Sequence, residues 1–138
     1  MATGNFRVAV KAFIVDGEER LLILKRAPGD PQRPGIWELP GGRLEPAEDP
    51  LLGVTREISE EAGLRIEVVA PLNVHHFTRD DGQTITMITF LSKPISKEVR
   101  LSDEHTDYEW IPIKDARSKL TDFFHADLER YERFFADR

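Results

Sequence analysis

The chain has no cysteine among its 138 residues. Disulfides and thiolate metal sites are therefore excluded, a usage that fits a cytoplasmic enzyme. No apolar run is long enough to cross a bilayer as a helix. The opening stretch MATGNFRVAVK lacks the apolar core of a signal peptide. Positive charge is in deficit: 19 Lys and Arg against 25 Asp and Glu leave a net charge of −6. A basic surface that captures long nucleic acid is therefore not expected, nor is a membrane partner. There is no internal repeat, low-complexity tract or linker. One globular domain spanning 1–138 is the expectation, long enough for a true core.

The pattern that is present reads as strands, helix, strands, helix. In FRVAVKAFIVDGEERLLILKRA, Val8, Val10, Ala12 and Ile14 alternate with Ala9, Lys11 and Phe13. Asp16 and Gly17 then give a turn signal before the apolar run LLILKR, so two strands around a turn are predicted. APGDPQRPG is a surface loop by its prolines and glycines, and IWELP is a short extended piece. Asp49 and Pro50 read as the N-cap and first residue of a helix, and Gly63 as its stop. LRIEVVA, LNVHHFTR and QTITMITFLSK read as strands, the last two joined by a hairpin at Asp80, Asp81 and Gly82. YEWIPI reads as another strand. Phe124, Leu128, Tyr131 and Phe135 recur at helical spacing near the end. This order argues for an α+β fold, a mixed sheet with helices packed on it.

The middle helix carries a conflict. Leu51, Val54, Ile58 and Ala62 form a core stripe on a helical wheel. Glu57, Glu60 and Glu61 share another arc, with Gly53 one turn earlier leaving room above them. Like charges at these spacings cost about 0.2–0.5 kcal/mol per pair. Glu60 and Glu61 also sit at the negative end of the helix dipole. A solvated acidic face is one explanation. The other is a hard divalent cation, held by carboxylates and by a carbonyl of the glycine-rich turn before the helix. Other metal patterns are missing: there is no His-Glu-x-x-His, and Asp80-Asp81-Gly82 is not an EF-hand loop. His75 and His76 are neighbours in a strand and so point to opposite faces, poor partners for one ion.

Gly42, Glu48, Arg56, Glu57, Ile58, Glu60, Glu61, Gly63 and Leu64 match, at fixed spacing, the box of the Nudix hydrolase family. The resemblance extends to IWELPGG, the strand and loop that precede the box. It departs from common usage only in Ala47 and Gly53, small residues both. It implies an α/β/α Nudix sandwich with a loop-helix-loop catalytic motif. It also implies hydrolysis of a nucleoside diphosphate linked to another group, with Mg2+ or Mn2+ as cofactor. Carried over by position, Glu60 and Glu61 ligate metal, with Glu57 as a ligand or base. The Gly41 carbonyl is a further ligand, Arg56 holds the acidic cluster, and Glu48 supports the loop or the metal. A distal carboxylate before a tryptophan-bearing strand completes such sites. Glu104, ahead of Trp110, is the candidate ligand or base, with Asp103 and His105 as near competitors. Arg26 resembles a position that meets substrate in some relatives.

The region TRDDGQ has neither the proline that tends to mark ADP-ribose hydrolases nor the tyrosine of dinucleoside polyphosphate hydrolases. The coenzyme A signature is also missing. By elimination, the expected reaction takes a nucleoside triphosphate, oxidised or non-standard ones included, to monophosphate and pyrophosphate. Phe77, Phe123 and Phe124 are candidates to stack on a base, although the spacing of Phe124 suits the core. ADP-ribose, nucleotide-sugar or dinucleoside polyphosphate hydrolysis is the alternative, as is a Nudix-fold module that binds nucleotide without cleaving it. The expected partner is a small nucleotide, with a homodimer left open.

Overall fold

A computed structural model describes residues 5–136, so the first four and last two residues of the expected 1–138 span lie outside the described part. Strand β1 (Phe6–Ile14) is buried on both faces over most of its length. Val10, Ala12 and Ile14 join one apolar cluster, while Ala9 and Phe13 join the other. The remaining strands are β2 (Arg20–Arg26), β3 (Trp37–Glu38), β4 (Gly41–Arg43), β5 (Ile66–Thr78), β6 (Thr84–Pro94) and β7 (His105–Pro112). They form two sheets, in the orders β4-β1-β6-β5 and β3-β2-β7. β1 and β6 run parallel and the other paired strands antiparallel, which makes the larger sheet mixed.

Helix α1 (Pro50–Ala62) contributes Val54, Ile58 and Ala62 to the cluster on one face. A short helix α2 (Ile113–Ala116), a turn of 3-10 helix at Asp122–Phe124 and helix α3 (His125–Phe134) follow β7. Phe124, Leu128 and Tyr131 fill the cluster on the opposite face. In β2, Leu21 and Ile23 turn to the α3 side and Leu22 and Leu24 to the α1 side, so the second sheet belongs to the same middle layer. The result is the α/β/α sandwich. No helix among the described residues is long and apolar enough to cross a membrane.

The two strands expected around the Asp16–Gly17 turn are β1 and β2; one Val15–Leu21 bridge joins them, and they otherwise pair in different sheets. Both hydrogen-bonding edges of β1 are taken, by β4 and by β6. The intervening turn keeps Asp16, whose carboxylate accepts from the N–H groups of Glu18 and Arg20. LRIEVVA and LNVHHFTR are one strand, β5, whose pairing register shifts on either side of Pro71. An edge strand tolerates proline at such irregularities. The Asp80–Gly82 hairpin between β5 and β6 is present, with Gly82 at φ 87°.

α1 starts and stops where expected. Asp49 accepts from the N–H groups of Leu51 and Leu52, a cap worth about 1 kcal/mol. Gly63 adopts φ 65° and donates to the Ser59 carbonyl. Leu51, however, is 51% exposed. It shares the helical arc of Val54 and Ile58, but full burial in α1 begins only at Gly53. Burying Val54 and Ile58 contributes about 1.5–3 kcal/mol each, which outweighs the repulsion among the glutamates and lets the helix form. The role of Gly53 also differs from expectation. A Cβ there would run into the Leu44 side chain and lie 3.2 Å from the Glu48 carboxyl, so the glycine admits the preceding loop.

β4 is built on closer approaches. Gly41 has φ 144°, and a Cβ there would collide with the Val10 carbonyl and sit 2.7 Å from the Lys11 Cα. Backbone cannot move aside as a side chain can. Gly41→Ala is therefore expected to lower unfolding free energy by about 2–4 kcal/mol in a urea titration. Gly17→Ala, where a Cβ meets nothing within 4 Å, should stay within about 0.5 kcal/mol of the parent. Equal effects of the two would contradict this account of β4.

Candidate active site

The site begins with a charged residue in an apolar strand. Lys11 on β1 is 3% exposed. Its ammonium donates to the Leu39 carbonyl at 3.0 Å and lies 3.5 Å from Glu38 Oε1. Glu38, on β3, is fully buried. Its Oε2 accepts from His105 Nε2 at 2.9 Å and lies 2.9 Å from Arg26 Nε. Burial alone would raise the Glu38 carboxyl, but the Lys11 charge, the His105 hydrogen bond and the Arg26 charge overcome it and hold the group at about 2. Glu38 is thus an ionised carboxylate in the interior, compensated from three strands.

His105 opens β7 and carries the connection onward. Its ring is fully buried, and Nδ1 lies 3.8 Å from Glu61 Oε1. Glu61 is buried on α1 and accepts from the Gly41 N–H at 3.4 Å. Burial pushes its carboxyl up to about 8 against the pull of Lys11, with the Glu104 charge adding to the rise. Glu57 is raised too, chiefly by burial and in spite of Arg56. Gly42 leaves room for it: a Cβ there would fall 2.6 Å from Glu57 Oε2.

The outer flank of α1 is organised by Arg56. Its guanidinium grips Glu48 through two bonds, of 2.7 and 2.9 Å, and reaches Glu60 at 3.0 Å and Glu57 at 3.2 Å. The Arg56 bond holds Glu48 at about 2. The Glu60 side chain is 60% exposed and turned to this arginine rather than to Glu61.

A cavity of about 980 Å³ joins these parts. Glu57, Glu61 and Glu104, with Asp30, Asp80 and Asp81, contribute acid to its lining, while Lys11, Arg26, Arg33, Arg43 and Arg79 contribute positive charge. The loop 27–36 borders it: Asp30 accepts from the N–H groups of Gln32 and Arg33 and pairs with Arg26 at 2.6 Å. The Ala27 N–H donates to the Glu104 carbonyl at 3.0 Å, which ties this loop to the distal acid. The residues present suit a divalent cation. One donor atom each from Glu61, Glu104 and His105 lie within 4.8 Å of one another, and the buried His105 Nδ1 has no hydrogen-bond partner.

Of the residues picked out from sequence, Gly41, Glu57, Glu61, Glu104, Arg26 and Phe77 line one cavity. Arg56, Glu48 and Glu60 form the adjoining network on the flank. Phe123 stands behind Phe77, ring edge to ring at 5.3 Å, and stacks on His75 at 4.5 Å. Phe124 is core. His75 and His76 do diverge: His75 bonds Asp127 and His76 bonds Thr86. Sequence reasoning missed Lys11 and Glu38, and weighed His105 only as a competitor of Glu104. The signal was available: Lys11 and Glu38 are charges inside otherwise apolar strand patterns, and a buried charge needs a partner.

The NUDIX domain family profile matches residues 5–134. The chain is 34% identical over 117 residues to a MutT-like protein of Streptomyces ambofaciens, covering 85% of this chain and 71% of that protein. It is 31% identical over 115 residues to nucleoside triphosphatase NudI of Klebsiella pneumoniae, covering 76% and 82%. The crystal structure of a MutT protein from Methanosarcina mazei Go1 superposes with TM-score 0.84 at 27% identity, covering 96% of this chain and 97% of that one. Profile, relatives and fold agree, and the chain belongs to the Nudix family, as a hydrolase of phosphoanhydride bonds.

Proposed function

We propose that the chain hydrolyses a nucleoside triphosphate to the monophosphate and pyrophosphate with Mg2+ or Mn2+ as cofactor. The observation that carries this reading is the composition of the cavity, where six carboxylates (Asp30, Glu57, Glu61, Asp80, Asp81 and Glu104) share a lining with Lys11 and four arginines. A polyphosphate matches the arginines but is repelled by the carboxylates. A cation between them resolves the conflict. The Gly41 carbonyl, Glu57, Glu60, Glu61 and Glu104 are the groups that would hold it. Glu60 would have to turn from Arg56 to take part. A bound divalent ion would activate a water and offset charge on the phosphoryl oxygens.

The chain's own groups do the rest. Arg56 keeps Glu57 oriented while Glu48 anchors Arg56. Glu57 or Glu104 takes the proton of the attacking water. Arg26 meets phosphate, and Phe77, backed by Phe123, gives the base an aromatic surface to stack on. The triphosphatase name of the Klebsiella relative supports the choice of substrate.

Glu57→Gln and Glu61→Gln should each lower kcat by about 100-fold or more at saturating Mg2+. Glu104→Gln should lower kcat with little change in KM. A loss confined to Asp103→Asn would transfer that role to Asp103. A panel of triphosphates (oxidised purines included), nucleotide sugars, ADP-ribose and dinucleoside polyphosphates tests the substrate. A much higher kcat/KM on any of the last three classes would overturn the triphosphate assignment. Binding without turnover of any of them would make the chain a sensor module.

Metal-free stability should depend on pH through Glu61. Its folded value lies near 8 and its ordinary value at 4.5. Between these, the folded chain holds a proton that the unfolded chain has released, so stability falls as pH rises through this window. A cation takes the proton's place and should raise Tm most at the upper end. Thermal unfolding with and without Mg2+ at both ends of the window checks this. An equal rise at both ends would count against Glu61 as a ligand.

A further inference from the structure

We infer that His105 is itself a metal ligand, binding through Nδ1, and that the centre for this reason prefers a first-row divalent ion such as Mn2+ to Mg2+. The inference rests on the proposed metal-dependent reaction and adds a nitrogen donor to its oxygen set. His105 is fully buried, and its two nitrogens have different fates. Nε2 bonds Glu38 Oε2 at 2.9 Å. A carboxylate oxygen can only accept, so Nε2 carries the hydrogen, and in the neutral ring Nδ1 has a free lone pair. That Nδ1 is buried and has no hydrogen-bond partner. It points to Glu61 Oε1 at 3.8 Å, too long for a hydrogen bond but within the roughly 4.3 Å that two donors about 2.1–2.2 Å from one ion can span. Glu104, the adjacent residue, supplies the third donor of the group.

A carboxylate behind a histidine is the common arrangement at metal centres, since it fixes tautomer and ring orientation and raises ligand basicity. Glu38 is in turn held by Lys11 and Arg26, so the ring has little freedom to turn. Mg2+ favours oxygen and sheds water reluctantly; Mn2+ also takes oxygen donors but accepts an imidazole more readily than Mg2+ does, and later first-row ions more readily still. One nitrogen among oxygens should therefore tilt selectivity without excluding Mg2+.

The test uses the wild-type chain with Mn2+ as the probe. Pulsed electron paramagnetic resonance of the Mn2+-loaded protein should show coupling to a directly bound nitrogen, and the coupling should change to that of the heavier isotope when only histidine is labelled with 15N. It should vanish in His105→Asn, which substitutes an amide for the ring. Calorimetric titration with each metal should show the Mn2+ over Mg2+ affinity ratio falling by about tenfold or more in that variant. A ring that only positioned Glu61 would weaken both metals alike and leave the ratio unchanged. If His105→Asn fails to fold, the isotope experiment on the wild type still decides. Mn2+ bound at the glutamates with no nitrogen coupling would overturn the inference while sparing the proposed function. Absence of any Mn2+ binding would overturn both.

Discussion

Glu38 is the charge on which the site depends. It is fully buried, and a lone carboxylate in such a place would cost several kcal/mol. Lys11 reaches it from β1, Arg26 from β2 and His105 from β7. The first belongs to one sheet and the other two to the second, so the carboxylate links the two sheets of the middle layer. The contact also sets the register of the chemistry. With Lys11 drawn to Glu38 and Leu39, β4 crosses β1 at Gly41, and the Gly41 amide meets Glu61. With His105 drawn to Glu38, the residue before it, Glu104, lines the cavity that Glu61 lines.

The acidic cluster is the other half of the balance. α1 is made stable by Val54, Ile58 and Ala62 and by its caps at Asp49 and Gly63, not by its glutamates. That surplus lets two of them be held where burial raises their carboxyl groups above the ordinary range. A proton and a bound cation would compete for the same oxygens there, so pH and metal response would be two views of one balance. Arg56 handles the exposed part of the cluster differently, by direct neutralisation of Glu48 and Glu60.

Sequence alone determined the elements and the box. Hydrophobic period, caps and turn residues are local properties, so α1 could be placed from Asp49 to Gly63 and the hairpin from Asp80 to Gly82. The fixed spacing of Gly42 to Leu64 named the family because a helix repeats its geometry faithfully. Where partners come from elsewhere in the chain, local pattern failed. It could not tell that both edges of β1 were taken, which places the two strands around the Asp16–Gly17 turn in different sheets. It could not tell that the first turn of α1 leaves Leu51 exposed.

The same limit applies to the site. Glu57, Glu61 and Gly41 were legible because they lie within one segment. Lys11, Glu38 and His105 are distant along the chain, and their charges carry meaning only once folding removes water from around them. Arg33 and Asp30 sit in a stretch that sequence marks simply as loop, yet they border the cavity because Arg26 and Glu104 pull that loop inward. Which charges exist was written in the sequence. Which of them face each other without solvent was decided by the tertiary structure, because electrostatic energy depends on separation and surroundings rather than on position in the chain.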